Sequence, residues 1–371
     1  MPNFSKFNFN LPAFALRHKL LYCFELNIIT LFILLISSVG IFAQPAGAGY
    51  AESYLLRDVG ARATSMAGAF TAVSNDPTSL FYNSAGLGFT EQVPMVTTSY
   101  SLLEFGRTHS TIAWSQSFEG LENFGFGFGI NNFTTGSFIA RDAKGHALGN
   151  FTDWQFALSG GMAYRMEFAS FGVALKYLAN SLEGSGTRAD GVAMDIGTKF
   201  NIMDMFSFGL SVQNVAGLVF WNTKQNTDYL LPYSVRAGLA MEFGLDETSY
   251  ETRTSSSGEL ESVFMPATKY ILIGLDAVMT QFENGPTVLL GVEAVPHDLI
   301  AFRGGIALAG DNMNKYEFFP MTVWGAGFSI RPNWEDLNMD LPFKTKIDYT
   351  VSQDQLARSK VAHHISLSFE F

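Results

Sequence analysis

The chain has 371 residues, 47% of them hydrophobic and 14% aromatic, but only 15% charged, against roughly 25% in soluble domains. Its 35 Phe rise together with 35 Gly, and only one apolar run, Leu26–Ala43, approaches the roughly 20 residues that a spanning helix needs. A helical membrane bundle is therefore excluded, and the net charge of −11 argues against a nucleic-acid partner, whose phosphates call for a basic surface.

Residues 1–43 read as a signal peptide. Arg17, His18 and Lys19 give a basic start, the apolar run follows, and Ala43 before Gln44 offers a cleavage point, although Ile41 departs from the usual small residue. An uncleaved anchor is the alternative. Without the leader the chain carries 20 Lys+Arg against 33 Asp+Glu, a net of −13. The single cysteine, Cys23, lies inside the leader, so the expected mature chain has no disulfide, thiol nucleophile or Cys metal ligand.

Residues 44–91 precede the first alternating segment. Arg57–Val73 is rich in Ala, Gly, Ser and Met, a composition for a thin helix or compact coil that lets other backbone come close. Asp76 and Pro77 then read as a helix start, with Asp as cap and Pro at the first helical position. Leu80, Phe81 and Tyr82 give that turn an apolar side, and Asn83 and Gly86 end it. A small-residue segment with a few aromatic anchors suits the filling of an opening.

From Gln92 the chain alternates with period two. In "FGFGFGI", Phe124, Phe126, Phe128 and Ile130 share one face and glycines the other; "FGVALKY" and "VAMDIGTKF" repeat the pattern. A soluble sandwich also alternates, but it puts bulk inward and long polar side chains outward. Here the side opposite the bulk is often Gly or Ala, and aromatics gather at strand ends, as in the girdles of transmembrane barrels. The expected strands are 92–101, 108–116, 122–132, 151–164, 168–179, 190–201, 205–215, 231–243, 268–280, 286–296, 299–309, 321–331, 344–353 and 362–371. The fold class expected is all-β: a 14-stranded antiparallel transmembrane β-barrel over 92–371, with a small N-terminal plug from 44–91 in its lumen.

An even count puts both barrel ends in the periplasm and makes 133–150, 216–230 and 310–320 the long outer loops. Residues 244–267, with five carboxylates against Arg253, form an inner acidic loop, read as solvated or as a contact surface for a periplasmic partner. Lys176, Asp195, Lys199, Arg236, Asp276, Glu293, Arg303, Lys346 and Asp348 fall on the polar faces of their strands. They are candidates for structural pairing that anchors the plug, or for a polar constriction along a permeation route. Asp276, Glu293 and Arg303 sit on three consecutive strands, where a ladder can form.

No enzyme constellation stands out, and no cofactor or metal site is expected. His363 and His364 are adjacent on a strand and so face opposite sides, and "GSGT" at Gly184–Thr187 has no helix after it to bind phosphate. The last segment sets Ile365, Leu367, Phe369 and Phe371 on one face and ends on Phe, which resembles the signal by which outer-membrane barrels are recognised for insertion.

"GARATSMAGAFTAVSNDPTSLFYNSAGL", Gly60–Leu87, closely resembles the N-terminal signature of the PorV/PorQ family of outer-membrane proteins, and is similar to the same element in the long-chain fatty-acid transporter (FadL-like) family. The likeness rests on the Ala/Gly-rich stretch, the Asp76–Pro77 turn, the pair Phe81 and Tyr82, and the ending Asn83, Ser84, Ala85, Gly86, Leu87, where Ser stands in place of Pro. It implies a barrel whose N-terminal hatch folds into the lumen. It further implies a docking role in type IX-type protein secretion or surface attachment, with outer-membrane lipid, barrel-insertion machinery, secreted proteins or other secretion components as partners. The FadL-like alternative is a transporter that binds a hydrophobic small molecule near the hatch and releases it sideways or inward.

Overall fold

The computed structural model describes residues 52–90 and 92–371, apart from 203–204, 223–227, 247–248, 255–259, 266, 282–284, 310–321, 333, 335–338, 340 and 355–359. The expected signal peptide and the outer loop 310–320 lie outside the described residues.

The strands are β1 (Met95–Leu102), β2 (Thr108–Ser117), β3 (Phe124–Arg141), β4 (Ala147–Arg165), β5 (Ala169–Glu183), β6 (Thr187–Ile202), β7 (Phe206–Trp221), β8 (Asp228–Leu230), β9 (Ser234–Gly244), β10 (Ser249–Thr254), β11 (Leu260–Met265), β12 (Tyr270–Thr280), β13 (Thr287–His297), β14 (Ile300–Ala309), β15 (Thr322–Ile330), β16 (Lys344–Gln353) and β17 (Val361–Glu370). Fourteen of them form a closed antiparallel ring: β1 through β7, then β9, then β12 through β17, with β17 pairing back onto β1. Closure satisfies each strand's backbone on both sides and leaves no sheet edge in lipid. No helix among the described residues is long and apolar enough to cross a membrane.

Period-two patterning decides which way each side chain points. Phe128, Leu175, Val192, Leu239 and Ile365 stand exposed on the outer face, while Gly129, Ala174, Ala193, Ala240 and Ser366 are buried on the inner one. Where β1 begins and β17 ends, the near end, Phe118 packs on Phe126, Phe124 on Tyr164, Phe171 on Phe200, Phe200 on Phe208, and Phe343 on Phe369 and Phe371. This is an aromatic girdle at one bilayer interface.

The opposite, far end departs from expectation in height. Residues 133–150 are not a long loop: β3 runs on to Arg141, β4 starts at Ala147, and only 142–146 turn. Lipid alternation stops near Phe133, but Thr, Phe and Ile continue and pair across the hairpin, which is enough to extend the strands. Likewise 216–230 is part strand, because β7 continues to Trp221 and β8 folds back on Leu218–Phe220. At the near end, 244–267 holds the two-stranded hairpin β10–β11 instead of an unstructured loop. "SYETRT" and "LESVFM" each carry β-formers that outweigh their charges.

Residues 52–90 run through the ring interior. A 3-10 turn (Ser53–Leu56) leads to Gly60, whose φ of +83° sets the entry into a one-turn helix, Ala61–Ser65. A second short helix, Ser79–Tyr82, and a 3-10 turn, Ser84–Phe89, follow before β1.

Candidate functional site

The lumen wall accepts the plug because it lacks side chains where the plug lies. Every barrel strand from β3 to β15 turns at least one glycine toward it. A Cβ on Gly125 would sit 1.7 Å from the Leu87 carbonyl oxygen, one on Gly172 2.3 Å from the Ala85 nitrogen, and one on Gly305 2.3 Å from the Met66 carbonyl carbon. Gly129 and Gly161 make room for Phe81 and Leu80. The small inner residues of the strands and the small residues of the plug are thus two sides of one backbone-to-backbone contact.

Polar groups fix the plug's position. Asp76 Oδ1 accepts from the Thr78 amide at 2.9 Å and so braces the turn that carries Phe81 and Tyr82, but the helix starts at Ser79 with Thr78 at its cap position, two residues beyond the cap expected at Asp76. Pro77 lies between, in the turn. Tyr82 Oη accepts from the Val59 amide at 2.7 Å and donates to its carbonyl at 3.1 Å, tying the two halves of the plug together. Asn83 Nδ2 donates to the Thr71 and Thr198 carbonyls, both at 3.0 Å, one in the plug and one in β6. Ala85, Gly86 and Leu87 are fully buried in the turn that follows, with Gly86 pressed on Ser74.

The lumen charges divide into two sets. Asp276 Oδ2 accepts from the Phe70 and Thr71 amides at 3.1 and 2.9 Å, Arg236 donates to the Gly68 carbonyl at 2.7 Å and Thr71 Oγ1 at 3.0 Å, and Lys199 Nζ donates to the Val73 and Ser74 carbonyls at 2.7 and 2.9 Å. Glu293 lies opposite Arg303 in the β13–β14 register and pairs with it, while its carboxylate also takes Arg62 Nε and Nη2, each at 2.9 Å. Arg303 extends the chain to Asp348 at 2.8 Å. Glu293 and Arg303 therefore form the expected contact, but Asp276 leaves the ladder, because the plug amides and Arg236 reach it first.

Lys176 and Asp195 do something else: they hold a distortion in the wall. They pair at 2.7 Å, Asp195 Oδ1 accepts from the Asn214 amide at 2.8 Å, and Lys176 donates to Asn214 Oδ1 at 3.0 Å. Asn214 and Ala216 have φ of +58° and +52°, in the left-handed region that non-glycine residues avoid, and the β6–β7 register slips twice around them. The β7–β9 ladder stops at Gln213–Ser234, and beyond it Leu231 and Pro232 cover the edge of β7.

The plug separates two cavities. The far-end cavity, about 320 Å³, has Phe81, Tyr82 and Leu55 from the plug, with Val278, Leu289 and Val323 from the wall. Arg236 and Asp58 supply charge at its floor. Burial pushes the Asp58 carboxyl up to about 6, against the pull of Arg236 and Arg57. Burial likewise pushes Glu52 up to about 7, opposed by a hydrogen bond from Asn180. The near-end cavity, about 580 Å³, opens between the plug and the girdle. Ile365, Leu367, Phe369 and Phe371 belong to the outer face at β17, and Phe343 covers the last two.

Sequence reasoning did not single out Arg62, the residue joining plug to wall charge. Its signal is a lone long cation inside a run of small residues, where only an internal carboxylate can receive it. Asn214 carries no sequence signal, since its bulge is set by register.

No family model and no curated protein matches the chain. Among solved structures, the fold is similar to a Pseudomonas aeruginosa FadL homologue, with 10% identity over 87% of this chain and 99% of that one and a TM-score of 0.50. It is also similar to the CymD monoaromatic hydrocarbon channel, with 12% identity over 84% and 97% of the two chains and a TM-score of 0.52.

Proposed function

We propose that this chain is a bacterial outer-membrane channel that admits small hydrophobic compounds past a resident plug. The observation that carries the reading is the far-end cavity, a pocket of small-organic-molecule size walled by Leu55, Phe81, Val278, Leu289 and Val323 directly above the plug. Its likeness in fold to barrels that include a monoaromatic hydrocarbon channel supports the same reading. Gln213 and Ser234 line this cavity where the β7–β9 ladder ends, so a sideways exit into the bilayer would form at the Asn214–Ala216 bulge by displacement of Leu231 and Pro232, which cover it.

The test is uptake of a radiolabelled monoaromatic hydrocarbon by cells carrying the chain. Leu289→Asp puts an unpaired carboxylate into the cavity and is expected to cut uptake at least about tenfold with barrel assembly unchanged. Uptake equal to that of the unaltered chain contradicts the reading. A docking role in protein secretion is the second reading. The N-terminal resemblance supports it, and the tall wall of β3–β7 at the far end offers the surface. A surface protein that co-purifies with the chain, and is lost when 142–146 is replaced by a shorter turn, would favour it.

A further inference from the structure

The near-end cavity is lined differently from the far-end one. Four cations face it: Arg62, Arg331, Lys344 and Lys346. Arg62 is taken by Glu293 and Asp76, and Lys344 pairs with Glu370 at 2.7 Å. Lys346 reaches only Asp348, at 3.8 Å, and that carboxylate already accepts from Arg303 and Ser329. Arg331 Nε is buried and meets no acceptor among the described residues. Asp298, the nearby carboxylate on the wall, accepts from Thr268. A guanidinium has five donors and an ammonium three, and a buried donor left unmade costs about 1–3 kcal/mol. Such an orphan in a folded protein is met by water, an ion or a bound group. Beside these cations the wall is apolar, built from Met95, Leu299 and Pro332.

We propose that the near-end cavity binds an oxyanion carried on an apolar body, with the anion between Arg331 and Lys346 and the apolar part on Leu299 and Met95. Arg331 supplies the planar fork that suits a phosphate or carboxylate, and Lys346 a point charge. The same chemistry is offered by an anionic lipid headgroup and by a small soluble amphiphile. The site does not depend on the transport reading, because it lies on the other side of the plug.

The experiment is calorimetric titration of the full chain, in neutral detergent, with hexyl phosphate, with hexanol and inorganic phosphate as comparisons. One hexyl phosphate site is expected, weakened at least about tenfold in Arg331→Met and in Lys346→Met, and kept in Lys346→Arg, which separates lost charge from lost fold. Repeating it in nanodiscs of phosphatidylglycerol and of phosphatidylcholine assigns the source. Competition only in the anionic discs identifies a lipid headgroup, and equal binding in both identifies a soluble amphiphile. No binding, or binding unchanged in both methionine variants, overturns the proposal, and hydrocarbon uptake measured alongside tells its failure from that of the transport reading.

Discussion

Glycines let the wall touch plug backbone on both flanks of the plug, but one flank adds ion pairs and charged hydrogen bonds. Leu80 and the turn Ser84–Phe89 lie against β3–β6, where glycines let backbone touch backbone and the cations that approach, Arg165 and Lys199, lie over the Phe89 ring. Ala61–Val73 lies against β7, β9 and β12–β17, where Gly209, Gly305 and Gly325 again meet plug backbone, and is held in addition by Arg62 on Glu293, Asp276 on the Phe70 and Thr71 amides, Arg236 on Gly68, and Ser366 and Thr350 on Ala61. Close packing yields nothing until the surfaces part, whereas buried ion pairs can exchange one partner for water. The glycine flank is thus the fixed side of the plug and the charged flank the side that can release.

The largest effect that would break this comparison comes from Glu293, which faces two buried guanidinium groups. Glu293→Gln removes the charge both rely on, and an orphaned buried cation costs about 3–5 kcal/mol. Faster protease cleavage within 57–75, with 80–89 still protected, is the expected result in proteoliposomes. Equal cleavage of both flanks would show that they act as one body.

A pH series comes next. Asp58 and Glu52, at about 6 and about 7, bind protons more tightly in the packed plug than in water. Their contribution is therefore complete below about pH 4 and is lost as pH rises through 6 and then 7, up to about 3 kcal/mol each before solvent screening. Cleavage within 52–60 should accelerate between pH 5 and 8, and Asp58→Asn should remove the lower step. A profile flat over that range in the unaltered chain rules the linkage out.

The glycine flank is probed by Gly125→Ala, whose Cβ would meet the Leu87 carbonyl at 1.7 Å; overpacking of this kind costs about 1–3 kcal/mol. Gly160→Ala, with nothing within 4 Å, is the matched control and should shift thermal unfolding by no more than about 0.5 kcal/mol. Similar shifts for both would mean that the wall yields. The smallest effect is Asn83→Ala, which frees the Thr71 and Thr198 carbonyls for about 1–2 kcal/mol, read from the same melts.

The strand count and most strand centres were legible, because alternation such as "FGFGFGI" obeys lipid on one side and a close neighbour on the other. The far-end extensions were not, since above the bilayer nothing enforces a greasy face on Thr134–Arg141 and only pairing reveals the strand. That Lys176, Asp195 and Glu293 point inward follows from parity; which group each meets does not. Glu293 finds Arg303 through register, but Asp276 finds plug amides some 200 residues away in the chain, at separations of 206 and 205. The wall bulge at Asn214 arises from a register slip between β6 and β7, to which composition is blind.

The central claim is that the plug stays lodged while a hydrophobic compound occupies the space above it. Crystals soaked with a brominated monoaromatic hydrocarbon test this through the bromine anomalous signal. A peak against Phe81 and Tyr82, with Arg62 still on Glu293, is the expected result. Bromine confined to the lipid-facing belt, or lodged where Ala61–Val73 now sits, would contradict it.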